Sequence, residues 1–342
     1  MTTRPLTFNH HAMTFSHRYL SIEVQDPNPL NLPPFTIRVK YKQGTEPSRG
    51  DKVLVDASEN IWDVTNTNTS WVYMFQHDTN LLEVLGANTT GVISMGGVFS
   101  GCTSLTNVEF FDTRTVSAFW LMFNNCSSLT NIPHFYTGNA REMDGMVAYC
   151  SSLTSFPNLI TTNVTDMHAM FRNCTSLTSI PQLDTRNATD MEGMFAWTYM
   201  RTIPWMDTSN VRNMRSMFAH SRIEELPNLD TSNVIDMYGM FQYCSTINYM
   251  PQMDTSNVEN MTYMFEYASN LKEIRLINTS KVTSANHMFN GASRVEHGAL
   301  ALYTQMSTQA NPPTNHAGTF ADCGSQTETG QAELAQIPSD WK

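Results

Sequence analysis

Apolar positions in this chain follow a recurring order of short patterns. Met167, Met170, Phe171 and Cys174 stand at i, i+3, i+4 and i+7, the spacing that puts four side chains on one face of a two-turn helix, and Asp166 is placed to cap its start. Leu-Thr-Ser-Ile-Pro follows at 177–181 and reads as a short strand with Leu177 and Ile180 inward, ended by a proline that cannot continue the pairing. Asp-Thr-Ser-Asn comes next in later copies, as at Asp207 to Asn210, Asp230 to Asn233 and Asp254 to Asn257. It predicts a turn, because Asp, Ser and Asn bond their own neighbouring backbone groups. A second extended piece such as Val234-Ile235 leads into the next copy.

The pair Met170-Phe171 returns as Met74-Phe75, Val98-Phe99, Met122-Phe123, Met146-Val147, Met194-Phe195, Met217-Phe218, Met240-Phe241, Met264-Phe265 and Met288-Phe289. The copies are 24 residues apart except for two intervals of 23. A fixed period of this size predicts a solenoid, since one unit cannot bury its own apolar face and the stack makes one continuous core. So short a helix persists only if stacking holds it.

Outside the array the pattern changes. Leu20, Ile22 and Val24, and then Phe35, Ile37, Val39 and Tyr41, alternate with polar residues, with Arg38, Lys40 and Lys42 on the other face; these are half-buried antiparallel strands. They define an N-terminal β module over 1–65, followed by the solenoid over 66–292. Val295 to Met306 reads as an amphipathic helix, and Phe320 to Cys323 echoes the repeat after Pro312-Pro313. Residues 293–342 are therefore a C-terminal helical cap, which shields the apolar end of the stack.

A net charge of −11 with no basic stripe excludes phosphate-neutralising nucleic-acid binding. No apolar run reaches the length of a secretory signal or a membrane span. The expectation is synthesis in a cytoplasm without a signal peptide and no membrane insertion. Cys102, Cys126, Cys150, Cys174 and Cys244 occupy one repeat position and form a small buried ladder. Neighbours about 4.8 Å apart come within disulfide reach, but their parallel side-chain directions and a reducing compartment favour free thiols.

The succession Cys-x-Ser-Leu-Thr-x-Ile-Pro, Asp-Thr-Ser-Asn-Val and Asp-Met-x-x-Met-Phe resembles the bacterial surface-protein type of leucine-rich repeat, called BspA-like, over about two thirds of the chain. Departures fall at Tyr136, Ile160 and Asn278 in the turn, at Thr198, Ser221, Ala268 and Ala292 in the Cys column, and at Phe119 and Ala285 in place of the first Met. The resemblance implies a right-handed solenoid with a parallel sheet along one side and a role at surfaces, and it supplies no catalytic residue. The fold class is thus a β-rich α/β repeat solenoid whose coils of 23–24 residues carry short strands and short helical turns.

Straight columns of variable residues are where a solenoid carries specificity. The column before the Cys position reads Gly101, Asn125, Tyr149, Asn173, Trp197, His220, Tyr243, Tyr267 and Gly291. Trp205, Tyr238, Tyr249 and Tyr263 add rings nearby. Rings with polar tips among Asn, Gln and Thr can stack on sugar faces, or they can simply widen the cover of the core. The candidate ligand-binding residues are Tyr149, Trp197, His220, Tyr243, Tyr267, Trp205, Tyr238 and Tyr263.

Other constellations are weaker. Asp184, Asp207, Asp230 and Asp254 form a carboxylate column, either a row of Ca²⁺ sites or, as expected, acceptors within their own turns. His10, His11 and His17 lack ligand partners at a suitable interval, Arg49-Gly50-Asp51 fits a plain turn, and no nucleophile elbow or phosphate loop is present. The reading is a non-enzymatic surface-recognition protein without cofactor or metal. Its expected carrier is a bacteriophage virion, in a tail or fibre, where the solenoid meets a host glycan or protein receptor and the N-terminal module joins other virion proteins. A bacterial cell-surface adhesin is the alternative, and a glycan-acting enzyme ranks lower.

Overall fold

The computed structural model describes Asn28 and residues 30–342; the strand expected at Leu20 to Val24 and the histidines at 10, 11 and 17 lie outside the described residues. Among the described residues five strands form one sheet: β1 (Thr36–Tyr41), β2 (Asp51–Asp56), β3 (Ile61–Thr65), β4 (Leu81–Asn88) and β5 (Asn107–Val108), in the order β2-β3-β1-β4-β5. The alternation in β1 works as its pattern predicts: Ile37, Val39 and Tyr41 are buried, while Arg38 on the other face holds Asp63 of β3 at 2.7 Å. β4 is the joint with the array. It runs antiparallel to β1 and parallel to β5.

From Ser70 onward the chain winds in coils joined by parallel bridges at Ser70, Ser94, Ala118, Glu142, Asp166, Asp190, Asn213, Asp236, Asn260, Ser284 and Asn315. The short helix expected at Met167 to Cys174 is not helical. Ala169 and Asn173 have positive φ, 53° and 59°, and Met170, Arg172 and Cys174 donate N–H to the carbonyl three residues back, at 3.0 to 3.3 Å. The alternate residues donate across the stack instead: Met167 to Asp190 O at 3.1 Å, Ala169 to Glu192 O at 2.7 Å, Phe171 to Met194 O at 3.1 Å and Asn173 to Ala196 O at 2.8 Å. An α-helix needs every N–H for its own i−4 carbonyl, and here every second one serves the next coil. The result is a ribbon of successive turns, which still sends Met167, Met170, Phe171 and Cys174 inward and so shares the apolar spacing of a helix.

The strand expected at 177–181 is absent as well. Parallel pairing of this part of the coil is confined to β4 with β5 and to isolated bridges at Thr202, Glu225, Tyr249, Glu273 and His297. Prolines at 133, 157, 181, 204, 227 and 251 each remove a ladder donor. Order along this array therefore rests on the turn ribbon.

Inside, phenylalanines stack coil upon coil, with ring centroids 5.1 to 6.0 Å apart from Phe171 to Phe320. Val147 interrupts the column, and on the same coil Phe156 sets its edge against Phe171 at 4.8 Å and 84°. Each column cysteine donates its thiol to a carbonyl of the preceding coil, as Cys150 does to Phe123 O at 3.0 Å and Cys174 to Val147 O at 3.1 Å. Burial pushes the Cys150 thiol up to about 12. Buried Thr185, Thr208 and Thr231 bond the carbonyls of Asp207, Asp230 and Asp254 one coil on, at 2.8 to 2.9 Å. The aspartates accept within their own turns, Asp207 from the Ser209 N–H at 3.1 Å and hydroxyl at 2.7 Å.

Two helices follow, α1 (Ala299–Thr308) and α2 (Glu328–Gln336). α1 starts four residues later than the pattern from Val295 predicts. Gly298 ahead of it has φ 100°, and a Cβ there would lie 2.0 Å from the Ile274 carbonyl oxygen, so the chain turns at Gly298 before the helix begins. Trp341 ends the stack: its carbonyl accepts the Phe320 N–H at 2.9 Å, and its ring lies 6.3 Å from that of Phe320.

Candidate functional site

The turn ribbon has an outer surface as regular as its inner one. Its positive-φ residues form two outward columns. One reads Tyr73, Gly97, Leu121, Gly145, Ala169, Gly193, Ser216, Gly239, Tyr263 and His287, and the other is the ring column before the Cys position. A non-glycine residue in the left-handed region costs roughly 1–2 kcal/mol, so the rings at Tyr149, Trp197, His220, Tyr243 and Tyr267, with φ of 53° to 63°, need an offset. Four of them have one in each other. Trp197 and His220 stack at 3.8 Å, His220 and Tyr243 at 4.4 Å, and Tyr243 and Tyr267 at 4.9 Å, and such pairs contribute about 0.5–1.5 kcal/mol each.

Stacking changes what the ladder offers. Its ring faces lie against one another, so the edges of an indole, an imidazole and two phenols point to solvent. At one end the ladder covers Gly291, whose added Cβ would meet Tyr267 at 2.4 Å. Trp197, Tyr243 and Tyr267 are each 43% exposed. Burial, and then the Arg172 cation, hold the His220 pKa below the usual histidine range.

The remaining candidates divide. Tyr238 and Tyr263 meet edge to face at 5.3 Å, Arg215 lies over Tyr238 at 4.4 Å, and Tyr263 stacks on His287 at 5.4 Å. They form a second, half-buried group on the same ribbon. Trp205 is 57% exposed on another segment of its coil and touches no other ring among the described residues. Tyr149 is two coils from Trp197, with Asn173 on the coil between, and stacks on no ring among the described residues.

Tyr149 instead walls a groove of about 240 Å³ spanning three coils. Gly145, Ala148 and Ala169 line it, with the Leu121 side chain over Gly145, and Asn124, Asp144, His168 and Arg172 complete the lining. Sequence reasoning missed these residues. The signal was present as small residues in two ribbon columns, Gly145, Ala169, Gly193, Ser216 and Gly239 in one and Ala148, Ala196 and Ala219 in the other. The Asp144 carboxyl is shifted above the usual carboxylate range by burial and by the neighbouring Asp166. A larger, shallow groove of about 350 Å³ lies elsewhere on the coils, between Leu226, Pro227, Tyr249, Pro251 and Arg275. Among the described residues no three His, Cys, Asp or Glu side chains converge as metal ligands, and no helix is long and apolar enough to cross a membrane.

The sequence pattern of a family described as "Mycoplasma protein of unknown function, DUF285" matches residues 52–159, 155–223 and 196–303. A crystal structure of a leucine-rich repeat protein from Bacteroides ovatus ATCC 8483 aligns with a TM-score of 0.35 at 15% identity, covering 87% of this chain and 89% of that one. No curated protein matches the chain.

Proposed function

This chain belongs to the family described as "Mycoplasma protein of unknown function, DUF285", and we propose that it is a non-enzymatic recognition protein that binds an extended surface glycan along its turn ribbon. The observation that carries the reading is the exposed ladder Trp197-His220-Tyr243-Tyr267, held in left-handed backbone geometry where glycine or asparagine occupies the same column in other coils. Residues in sparsely populated backbone regions cluster at binding surfaces, because only a surrounding structure that over-determines them keeps them there. A run of ring edges at coil spacing, bordered by a groove with polar side chains on its rim, suits a repeating ligand laid along the stack.

The ladder can be removed without disturbing the ribbon. Asparagine occupies this column at Asn125 and Asn173 with φ of 57° and 59°, so a Trp197→Asn, Tyr243→Asn, Tyr267→Asn variant keeps the backbone. Whole cells and extracted surface glycan from candidate bacteria should bind the wild type and lose the variant. Equal binding by both would move recognition off the ladder, and binding by neither would end the reading.

The family description names a cellular source, which supports a cell-surface adhesin over a phage tail or fibre protein. Immunolabelling of intact producer cells would bear this out, and recovery of the protein with purified phage particles would reverse it.

A further inference from the structure

We propose that the groove over Gly145, Ala148 and Ala169 is a subsite for one neutral hexopyranose, with the Tyr149 ring against the sugar face and Asp144 accepting from a vicinal pair of its hydroxyls. The subsite rests on the recognition role proposed above and gives it a ligand class.

Asp144 and Arg172 rim the same groove and yet form no ion pair, and neither side chain is hydrogen bonded to another residue among those described. Three other aspartates along the ribbon are engaged. Asp166 accepts the His168 N–H at 2.9 Å, Asp190 accepts the Glu192 N–H at 2.8 Å, and Asp236 holds Arg215 at 3.0 Å. The half-buried Asp144 carboxylate takes a backbone N–H bond of its own, and its two oxygens keep acceptor capacity for a ligand's donors. The Arg172 guanidinium reaches over Gly193 of the next coil, 3.2 Å from where a Cβ there would stand, which leaves Asp144 as the charged group to which a ligand in the groove can donate.

Hydroxyls that donate and accept at once meet this requirement, and vicinal hydroxyls match the two oxygens of one carboxylate. Asn124 and His168 add an amide and an imidazole to the rim. Tyr149, 41% exposed and stacked on no ring among the described residues, offers its ring to the apolar C–H side of a pyranose, whereas His220 and Tyr243 have both faces taken by neighbouring rungs. Size agrees, because 240 Å³ falls below the roughly 300–1,000 Å³ of drug-sized sites. Neutrality follows from Asp144, since an acidic sugar would set a second anion beside its carboxylate.

The test is titration of the full chain with methyl glycosides of glucose, galactose and mannose, and of glucuronic acid, read by saturation-transfer NMR and calorimetry. A neutral hexoside should bind. Asp144→Asn should weaken it about 10- to 100-fold, as expected for hydrogen bonds to a charged group, and Tyr149→Asn by about 2- to 10-fold. A Gly138→Ala control, which adds a Cβ with nothing within 4 Å of it, should bind it like wild type. Preference for the glucuronide, or a hexoside affinity unchanged by Asp144→Asn, overturns the subsite. If no hexoside binds while the wild type still captures cells, the subsite fails and the recognition role stands. Loss of both removes both.

Discussion

The indole of Trp197 lies parallel to the imidazole of His220, with centroids 3.8 Å apart and planes 9° from each other. Their backbones explain the contact. Each residue has positive φ, and the Trp197 N–H donates to the carbonyl of Ala219, the residue before His220, at 2.9 Å. One bond per coil sets the rung spacing, and stacking fills it.

The stack makes stability depend on pH. The folded-state pKa of His220 is lowered by burial and then by Arg172, so the folded chain favours the neutral ring. Its contribution is fully present above the unfolded-state value of about 6.5, and it is lost as pH falls below that value towards the folded one. Thermal midpoints measured between mildly alkaline and mildly acidic pH should fall more for wild type than for His220→Asn. Parallel curves would remove His220 as the cause.

Thiol chemistry should be silent until the coils open. Cys126, Cys150, Cys174 and Cys244 are fully buried, and desolvation raises the Cys244 thiol to about 12. A thiol-specific chromogenic reagent at mildly alkaline pH should label none of the column cysteines in the folded chain and all six cysteines of the sequence after denaturation. Rapid labelling of the folded protein would show that the column is accessible.

Two glycines should respond in opposite ways to alanine. Gly298, at φ 100°, would place a Cβ 2.0 Å from the Ile274 carbonyl oxygen, whereas Gly138 has nothing within 4 Å. Gly298→Ala should destabilise the chain by about 1–3 kcal/mol, the usual cost of a strained backbone site, with more from the clash. Gly138→Ala should shift the urea midpoint little. Equal effects would mean that the turn before α1 can relax.

The break in the phenylalanine column gives a coupling test. Phe156→Ala should cost about 3–5 kcal/mol, as aromatic truncations in cores do, since its edge rests on Phe171 at 4.8 Å. Val147→Phe alone should cost about 1–3 kcal/mol through overpacking. Combined with Phe156→Ile it should be milder than the sum, with an interaction of about 0.5–3 kcal/mol between neighbours. Strict additivity by denaturant unfolding would show that the two positions do not share space.

The array was legible in the chain because a stack repeats its inner contacts: Met-Phe pairs, column cysteines and Asp-Thr-Ser-Asn turns must recur where each coil meets the next. The β1 alternation was legible for the same reason, one face being dry and the other holding Arg38 to Asp63. Inward spacing alone could not separate a helix from the turn ribbon, since both bury i, i+3, i+4 and i+7. Glycine and asparagine at 97, 101, 125, 145, 173, 193, 239 and 291 were the local sign of left-handed backbone. Ring types in the outer column were likewise readable, and their use of one another's faces was not, because that depends on a spacing between coils which hydrogen bonds across the stack establish. The groove at Asp144, Tyr149 and Arg172 joins residues from successive coils. The amino-acid order determines which residues occupy each column, and only the packing of one coil on the next decides which columns stack and which leave room for a ligand, because both depend on distances between segments some two dozen residues apart.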